Sequence, residues 1–227
     1  MKKIALLMIL VFGLTVVFVT SANAEVLNVE TNTSGGLKKI DDSKYKASAI
    51  SVLRNSDGEL LSVIKTTATR YLDKSVTDEF IDTLLEIYQE LPKPLQFARD
   101  DFVESIHDKD TILNTLRIGD STGQIIGFAK GGPLEKYNFE VDLNDQNYGK
   151  NNTVFLEPLA IKNGYWGFHG GREIRQLFMM QVHSKGYKFM SSFAMREVIE
   201  HRKKNDKNIE FVKKFDPEKW DYYRVTP

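Results

Sequence analysis

The feature that most restricts how this chain can fold is a strand, a glycine-rich loop and a helix that follow one another in its last third. Val154 to Ile161 is apolar apart from Glu157 and Pro158, which is typical of a buried strand. The loop runs from Asn163 to Gly171, and apolar residues at helical spacing predict a helix from about Arg172 to Lys185.

A second apolar strand follows this helix. Gly186 stands where glycine commonly ends a helix, and Tyr187 to Ala194 predicts the next strand. Because a strand that returns through a crossover helix lies parallel to its partner, we expect Val154 to Ile161 and Tyr187 to Ala194 to be parallel strands of one sheet.

Apolar periodicity predicts further elements on both sides of this unit. The other predicted strands form three pairs, which are Ile50 to Val52 with Leu61 to Thr69, Ile112 to Ile118 with Gln124 to Ala129, and Ile209 to Phe215 with Tyr222 to Val225. The other predicted helices are Thr77 to Tyr88, Arg99 to His107 and Arg196 to Lys204. Leu134 to Asn152 is polar and is expected to be a surface loop bordering a site. The pattern predicts a mixed α/β sheet with helices on its faces.

The first 24 residues have the three parts of a signal peptide. Lys2 and Lys3 form a positive start, Ile4 to Val19 is an apolar run, and Ala22-Asn23-Ala24 is a small-residue cleavage site. We therefore expect an exported protein that is cleaved near Ala24. The alternative is an uncleaved anchor, the only membrane contact expected, with the remainder of the chain facing outward.

The rest of the chain divides into three parts. Residues 25–46 are polar, contain Ser34-Gly35-Gly36 and lack periodicity, which predicts a flexible linker. Residues 47–76 are expected to form a β-hairpin extension that covers a sheet edge, and residues 77–227 are expected to form the main domain.

Composition excludes several classes of function. Lys and Arg number 31 and Asp and Glu number 31, so the chain lacks the basic excess of a nucleic-acid-binding protein. No cysteine is present, which excludes disulfides, thiolate nucleophiles and cysteine metal sites. The histidines have no metal-binding spacing, and no metal site is expected; they are His107, His169, His183 and His201.

The glycine-rich loop is suited to an anion. Glycines allow backbone N–H groups to turn inward, and the start of the following helix adds N–H groups and a positive dipole end. Arg172 in the first turn adds a positive charge that can bond a phosphate. A tight corner between strand and helix is the alternative interpretation of the same glycines.

This segment resembles the cofactor loop of the GNAT acetyltransferases, which move an acetyl group from acetyl-CoA to an amine. Leu159-Ala160-Ile161 is similar to the end of the family's strand, Tyr165 to its Tyr, Gly167 and Gly171 to the first and last glycines of its loop, and Gly186-Tyr187 to its helix exit. The resemblance covers about residues 77–225. It implies a mixed, largely antiparallel sheet with helices on both faces, preceded here by a short N-terminal β-hairpin.

The resemblance also implies where acetyl-CoA would bind. Its pantetheine arm would contact main-chain groups near Leu159 and Ile161, and its pyrophosphate would contact the loop and helix start at Gly167, His169, Gly170, Gly171 and Arg172. Two residues depart from the family pattern. Trp166 stands where the family has Arg or Gln, and His169 stands where a glycine is usual.

An acyl transfer to an amine needs a base and an acid. Glu157 lies on the proposed cofactor strand, where burial would raise its pKa, and it is the candidate base; a structural ion pair with Arg or Lys is the alternative. Many family members supply the acid from a Tyr in the helix that here contains Glu197 to Lys204 and no Tyr. The candidates are therefore His201, Tyr222 or Tyr223, unless no residue takes this role.

Two functions follow from these features. The first is an exported N-acetyltransferase that uses acetyl-CoA and a small-molecule or peptide amine. The second is a non-catalytic binding or surface-interaction domain on the same fold. Trp166, His169 and the absent helical Tyr favour the second, as does the scarcity of acetyl-CoA outside the cell, whereas the glycine spacing and Glu157 favour the first.

Overall fold

The computed structural model describes residues 46–54, 60–71, 76–120, 122–139, 143–166, 170–205, 208–216 and 219–227. The predicted signal peptide at residues 1–24, the predicted linker up to residue 45 and the turn of the N-terminal hairpin lie outside the described residues.

The described elements are eight strands, four α-helices and two short 3-10 helices, Lys93–Leu95 and Leu134–Lys136. The strands are β1 (Lys46–Arg54), β2 (Leu60–Arg70), β3 (Ile112–Ile118), β4 (Ile125–Pro133), β5 (Thr153–Ile161), β6 (Phe189–Met195), β7 (Ile209–Lys214) and β8 (Trp220–Val225). The helices are α1 (Asp78–Tyr88), α2 (Arg99–His107), α3 (Gly170–Ser184) and α4 (Arg196–Asn205).

The strands form one sheet in the order β1-β2-β3-β4-β5-β6-β8-β7. Strands β5 and β6 are parallel, and each other described pair of neighbours is antiparallel. This confirms the mixed, largely antiparallel sheet and the crossover unit. The N-terminal hairpin, β1 and β2, continues the sheet through antiparallel pairing of β2 with β3 and provides its outer strand.

Helices cover both faces of the sheet, as expected. On one face α3 and α4 pack on apolar side chains that include Leu116, Leu156 and Val225. On the other face α1 and α2 pack on side chains that include Leu113 and Phe128. Helix α1 begins where the sequence predicts, because the Thr77 hydroxyl accepts a 3.2 Å hydrogen bond from the Phe80 N–H.

Helix α3 begins two residues earlier than predicted, at Gly170. A Cβ at this position would lie 2.6 Å from Leu116 Cδ2, so glycine lets the helix start approach the sheet closely. The helix thus includes Gly170 and Gly171, which the sequence pattern places in the loop.

The segment between β4 and β5 is less exposed than the predicted surface loop. Leu134 and Leu143 are buried, and the buried Asp145 carboxylate binds the Arg224 guanidinium and accepts a 2.6 Å hydrogen bond from the Tyr222 hydroxyl. These bonds anchor the segment to β8. Within the described part of the chain, no helix is both long enough and apolar enough to cross a bilayer.

Candidate functional site

Strands β5 and β6 separate in the middle of the sheet. Their pairing ends at Leu156 and Ser192, although β5 continues to Ile161 and β6 to Met195. The Ser192 hydroxyl donates a 2.9 Å hydrogen bond to the Leu156 carbonyl oxygen at this last row. We call the gap beyond this row the fork.

A bulge in β5 lies directly at the start of the fork. Ala129 pairs with Leu159 but Gly131 pairs with Leu156, so β5 contains one residue more than β4 across this interval, at Glu157-Pro158 opposite Lys130. Proline has no N–H to donate to a neighbouring strand and is found in sheets mainly at edges and bulges. The sequence therefore ends regular pairing where Pro158 stands.

Main-chain groups of β5 face the fork. The Lys162 N–H donates a 2.8 Å hydrogen bond to Ile126 O, toward β4, so the alternation of a strand turns the N–H and C=O of Ile161 and Leu159 to the opposite side. The carbonyl of Ile161 accepts a 2.9 Å hydrogen bond from the Trp166 indole, whose side chain is largely exposed. One of the two predicted contact points for pantetheine is thus occupied by Trp166.

The start of α3, which follows the loop, contains several of the residues predicted to bind phosphate and also a carboxyl group. Gly167 and His169, two of the predicted phosphate contacts, lie outside the described residues. Gly171 and the exposed Arg172 lie in the first turn of α3, where a cation and helix N–H groups favour an anion. Glu173 is buried in the same turn and places a carboxyl group there.

Glu157 forms a buried ion pair with Lys130 on the face covered by α1 and α2. The side chains of Lys130 and Glu157 are 0% and 2% exposed, and the Lys130 ammonium donates to Glu157 Oε2 and to the Ser105 hydroxyl. The ammonium also lies 4.6 Å from the centre of the Phe102 ring. The Tyr88 hydroxyl donates a 3.3 Å hydrogen bond to Glu157 Oε1. Glu157 therefore forms the structural ion pair that the alternative interpretation predicts, with Lys130 as its partner.

Burial moves both members of this pair toward their neutral forms. It raises the pKa of Glu157, although the Lys130 ammonium and the hydrogen bonds from Lys130 and Tyr88 oppose this shift. It likewise lowers the pKa of Lys130, against the attraction of Glu157. A carboxylate with a raised pKa is a stronger base, and an amine with a lowered pKa loses its proton more readily to give the form that can attack.

Glu157 also lines a cavity of about 380 Å³, which we call the acidic cavity. Its wall contains three further carboxylates, those of Asp101, Glu104 and Asp108, together with the aromatic rings of Phe97 and Tyr137. Lys136 also lines the cavity, but it forms ion pairs with Asp108 and Asp110. The remaining carboxylates and the aromatic rings are suited to a cationic amine.

The three candidate acids occupy different surroundings. His201 is exposed on α4 and is not among the residues that line the acidic cavity. Tyr222 is buried and donates to Asp145, and burial raises its pKa. Tyr223 is buried on the opposite face, and its hydroxyl accepts hydrogen bonds of 2.9 Å from Arg202 and 3.4 Å from Arg175. Burial raises the pKa of Tyr223 but the two guanidinium groups lower it further, so the net shift is downward.

The sequence points to Glu157 as a candidate base but not to the residues that surround it. A lysine in the otherwise apolar run of β4 was the signal for Lys130, because a cation at a buried strand position requires a partner. The cavity carboxylates on α2 gave no such signal, because acids on a helix surface are common. Among the described residues, no group of His, Asp and Glu is placed to hold a metal ion.

Comparisons with known proteins found similar structures but no similar sequence in the family models or the curated proteins. No family model and no curated protein matches the sequence. The structure is similar to a proposed acetyltransferase from Acinetobacter baylyi ADP1, with a TM-score of 0.52 and 11% identity over 74% of this chain and 94% of that chain. It is also similar to the GNAT domain of S. lividans PAT (TM-score 0.48, 10% identity, 79% of this chain and 97% of that chain). A third similar structure is the ribosomal-protein-S18-alanine N-acetyltransferase from Escherichia coli (TM-score 0.46, 12% identity, 70% and 93%). The likeness to the Acinetobacter baylyi structure shows that the chain has the acetyltransferase fold that the sequence predicts, a GNAT-like mixed sheet.

Proposed function

We propose that this protein is an N-acyltransferase that transfers an acyl group, in the first instance acetyl, from acyl-CoA to a primary amine in the acidic cavity. The observation that carries this proposal is the position of Glu157. It follows Leu156, the last β5 residue paired with β6, so the fork and a carboxylate of the acidic cavity meet within one residue.

The chain's own residues supply the steps that an amine acceptor needs. The carboxylates of Asp101 and Glu104 attract the ammonium, and Glu157 accepts its proton so that the nitrogen becomes nucleophilic. Tyr88 holds the Glu157 carboxylate in place while its own hydroxyl accepts a 2.7 Å hydrogen bond from the Phe97 N–H. The thioester of acyl-CoA supplies the activated acyl carbon. The main chain of Leu159 offers a hydrogen-bonding edge on the fork side.

Two residues are proposed as the acid that returns a proton to the leaving thiolate. His201 is the choice that follows from the family resemblance. Tyr223 is the alternative that its surroundings support, because its Cα pairs with Ser192 at the last row before the fork and two guanidinium groups lower its pKa.

Calorimetric titration of the protein with CoA and acetyl-CoA tests the donor site. We expect saturable binding of both ligands, and release of free CoA when a primary amine is added. The absence of binding up to millimolar ligand would discard the acyltransferase. A panel of amines at two salt concentrations then tests the acceptor site, because attraction by exposed carboxylates weakens as salt increases.

A non-catalytic binding domain is the second candidate, and a specific contact favours it. Trp166 already occupies the Ile161 carbonyl, and Glu173 places a buried carboxylate at the start of α3. The same titration separates the candidates, since a binding domain of this kind takes up no CoA.

We further propose that the chain is exported, on the strength of its first 24 residues. Cleavage near Ala24 would make Glu25 the first residue of the mature protein. N-terminal sequencing of protein from the producing cell tests this. A chain that begins at Glu25 supports export, and a chain that begins at Met1 supports the outward-facing anchor.

A further inference from the structure

Gly132 on β4 lines the acidic cavity, although neither its backbone nor its packing requires a glycine. Its φ angle lies outside the left-handed region that favours glycine, and a Cβ added to it would meet no atom closer than 3.6 Å. The preceding Gly131 differs, because a Cβ there would lie 2.2 Å from the carbonyl oxygen of Phe155 on β5. Close approach of the two strands therefore explains Gly131 but not Gly132.

The missing side chain of Gly132 leaves a recess beside the proposed base. Gly132 follows Lys130 by two residues, so the alternation of the strand places both on the face where Glu157 is buried. The atoms nearest to a Cβ at Gly132 would be Thr111 Oγ1 at 3.6 Å and the Tyr137 hydroxyl oxygen at 3.8 Å. Both of these side chains line the acidic cavity. We call the space bordered by Gly132, Thr111 and Tyr137 the Gly132 recess.

The two hydroxyl groups of the Gly132 recess are suited to the two ends of a carboxamide. The Tyr137 hydroxyl donates a hydrogen bond to the Glu157 carboxylate, which leaves its oxygen able to accept one from an N–H. Burial raises the pKa of Tyr137 well above its ordinary value, and Glu157 adds to this shift, so the phenol stays protonated. The Thr111 hydroxyl forms no hydrogen bond with another described residue, and it can donate to a carbonyl oxygen.

The charges around the Gly132 recess disfavour a carboxylate in the same place. Asp101 and Glu104 line the acidic cavity and form no ion pair with another residue in the part of the chain that the structure describes. Lys136 also lines the cavity, but it is already paired with Asp108. A negative group beside the amine would therefore be repelled, whereas an uncharged amide would not.

We infer that Gly132 is a specificity-determining residue of the acceptor site: its recess takes a carboxamide attached to the carbon that carries the reacting amine. Because Tyr137 contacts Glu157 and also borders the recess, an amine at the base places its neighbouring group there. The acceptor is then an α-amino amide and not a free amino acid. This inference rests on the proposed acyltransferase function for the reaction, and it adds the chemical group beside the amine.

Kinetics with three small amines test the inference on the full chain. Glycinamide carries the carboxamide, glycine carries a carboxylate in its place, and methylamine carries neither. The unaltered protein should prefer glycinamide to glycine. Gly132→Ala should lower kcat/KM for glycinamide by about tenfold or more, because its methyl group fills the recess, and should leave methylamine unchanged. The amine pKa of each compound is the same for both proteins, so the ratio between the proteins reports the site alone.

Thr111→Val tests the hydroxyl separately from the space. Valine keeps the shape of the side chain but cannot donate to the amide carbonyl. We expect kcat/KM for glycinamide to fall by about 3–10-fold, the value of one neutral hydrogen bond, and methylamine to react as before. An equal loss for both amines would mean that Thr111 does not contact the carboxamide, and it would overturn the inference.

Denaturant unfolding gives a readout that does not depend on activity. Gly132→Ala should leave the free energy of unfolding unchanged or raise it, because alanine meets only ordinary contacts there and restricts the unfolded chain. Gly131→Ala is the matched control at the adjacent position, and it should lose stability through the contact with Phe155. A marked loss in Gly132→Ala would show that packing requires this glycine, and the inference would fall.

The outcomes separate the inference from the proposed function. A protein that acetylates amines but prefers glycine, or whose preference is the same in Gly132→Ala, overturns the inference and retains the function. If the protein transfers no acyl group, the proposed function fails and the recess is tested by NMR with the free amines. Glycinamide should then shift the backbone N–H signals of Gly132 and Thr111, and glycine should not. The absence of these shifts would discard the recess as well.

Discussion

The Ser192 hydroxyl donates a 2.9 Å hydrogen bond to the Leu156 carbonyl oxygen and closes the paired part of β5 and β6. The residue after Leu156 is Glu157, so the end of pairing and the buried carboxylate are adjacent along the backbone. The bulge at Glu157-Pro158 begins at this same point, so a shift in where the fork begins would also move the proposed base.

Replacing the carboxylate tests its chemical role. We expect Glu157→Gln to lower kcat for amine acetylation by about 10²–10⁴-fold, the usual contribution of a general base, and to leave the affinity for CoA unchanged. Glu104→Gln is the matched control in the same cavity, and it should raise KM for the amine more than it lowers kcat. A Glu157→Gln variant with an unchanged kcat would remove Glu157 from the chemistry.

The pH dependence should report the raised pKa of Glu157. Activity requires the ionised carboxylate, so kcat/KM should fall on the acid side around a pH above the ordinary glutamate value, because burial raises this pKa. Lys130→Met removes the opposing positive charge, so we expect the acid limb to move to still higher pH.

The same Lys130→Met variant should be less stable, because it leaves a buried carboxylate without its counter-ion. Loss of one partner of a buried ion pair costs roughly 3–5 kcal/mol of unfolding free energy.

The pH profile of Lys130→Met also has a contradicting outcome. If its acid limb moves to lower pH and not to higher pH, the Lys130 ammonium does not lower the pKa of Glu157.

Removing the indole donor of Trp166 tests whether it competes with the acyl donor. Trp166→Phe keeps an aromatic ring but frees the Ile161 carbonyl, so we expect tighter binding of CoA by calorimetry. Trp220→Phe on β8 is the control and should leave the affinity unchanged. Weaker binding in Trp166→Phe would mean that the indole contacts the donor directly.

Two adjacent glycines at the start of α3 should respond differently to alanine. In Gly170→Ala the new Cβ would lie 2.6 Å from Leu116 Cδ2 in the core, and such overpacking costs typically about 1–3 kcal/mol. In Gly171→Ala the nearest atom is Ile161 Cδ1 at 3.1 Å, the end of a partly exposed side chain that can move. Denaturant unfolding should show a clear loss of stability for the first variant only. Equal losses would contradict the close contact at Leu116.

Paired tyrosine variants should identify the acid. Tyr223→Phe removes the phenol held by Arg175 and Arg202, and we expect it to lower kcat and to abolish the alkaline limb of the pH profile. Tyr222→Phe, whose hydroxyl binds Asp145, should retain that limb. If His201→Gln abolishes the limb and Tyr223→Phe does not, the acid is His201.

Most of the elements could be predicted because their signals are local. The capping hydroxyl of Thr77, the glycine at Gly186 and the glycine-rich turn between the strands Ile112 to Ile118 and Gln124 to Ala129 each predict structure from a few neighbours. The boundary of α3 could not be predicted in this way. It depends on how closely Gly170 approaches Leu116, a residue of β3 far away in the sequence.

The sequence by itself determined the crossover that makes β5 and β6 parallel. It also determined the proline at which the regular pairing of β5 is interrupted, and the carboxylate beside that proline. These follow from backbone chemistry and short-range periodicity. Only the tertiary structure decided that Lys130 is the counter-ion of Glu157 and that carboxylates of α2 surround the same cavity. Strand register and helix docking, which depend on the packing of the whole core, bring these groups from separate segments to one place.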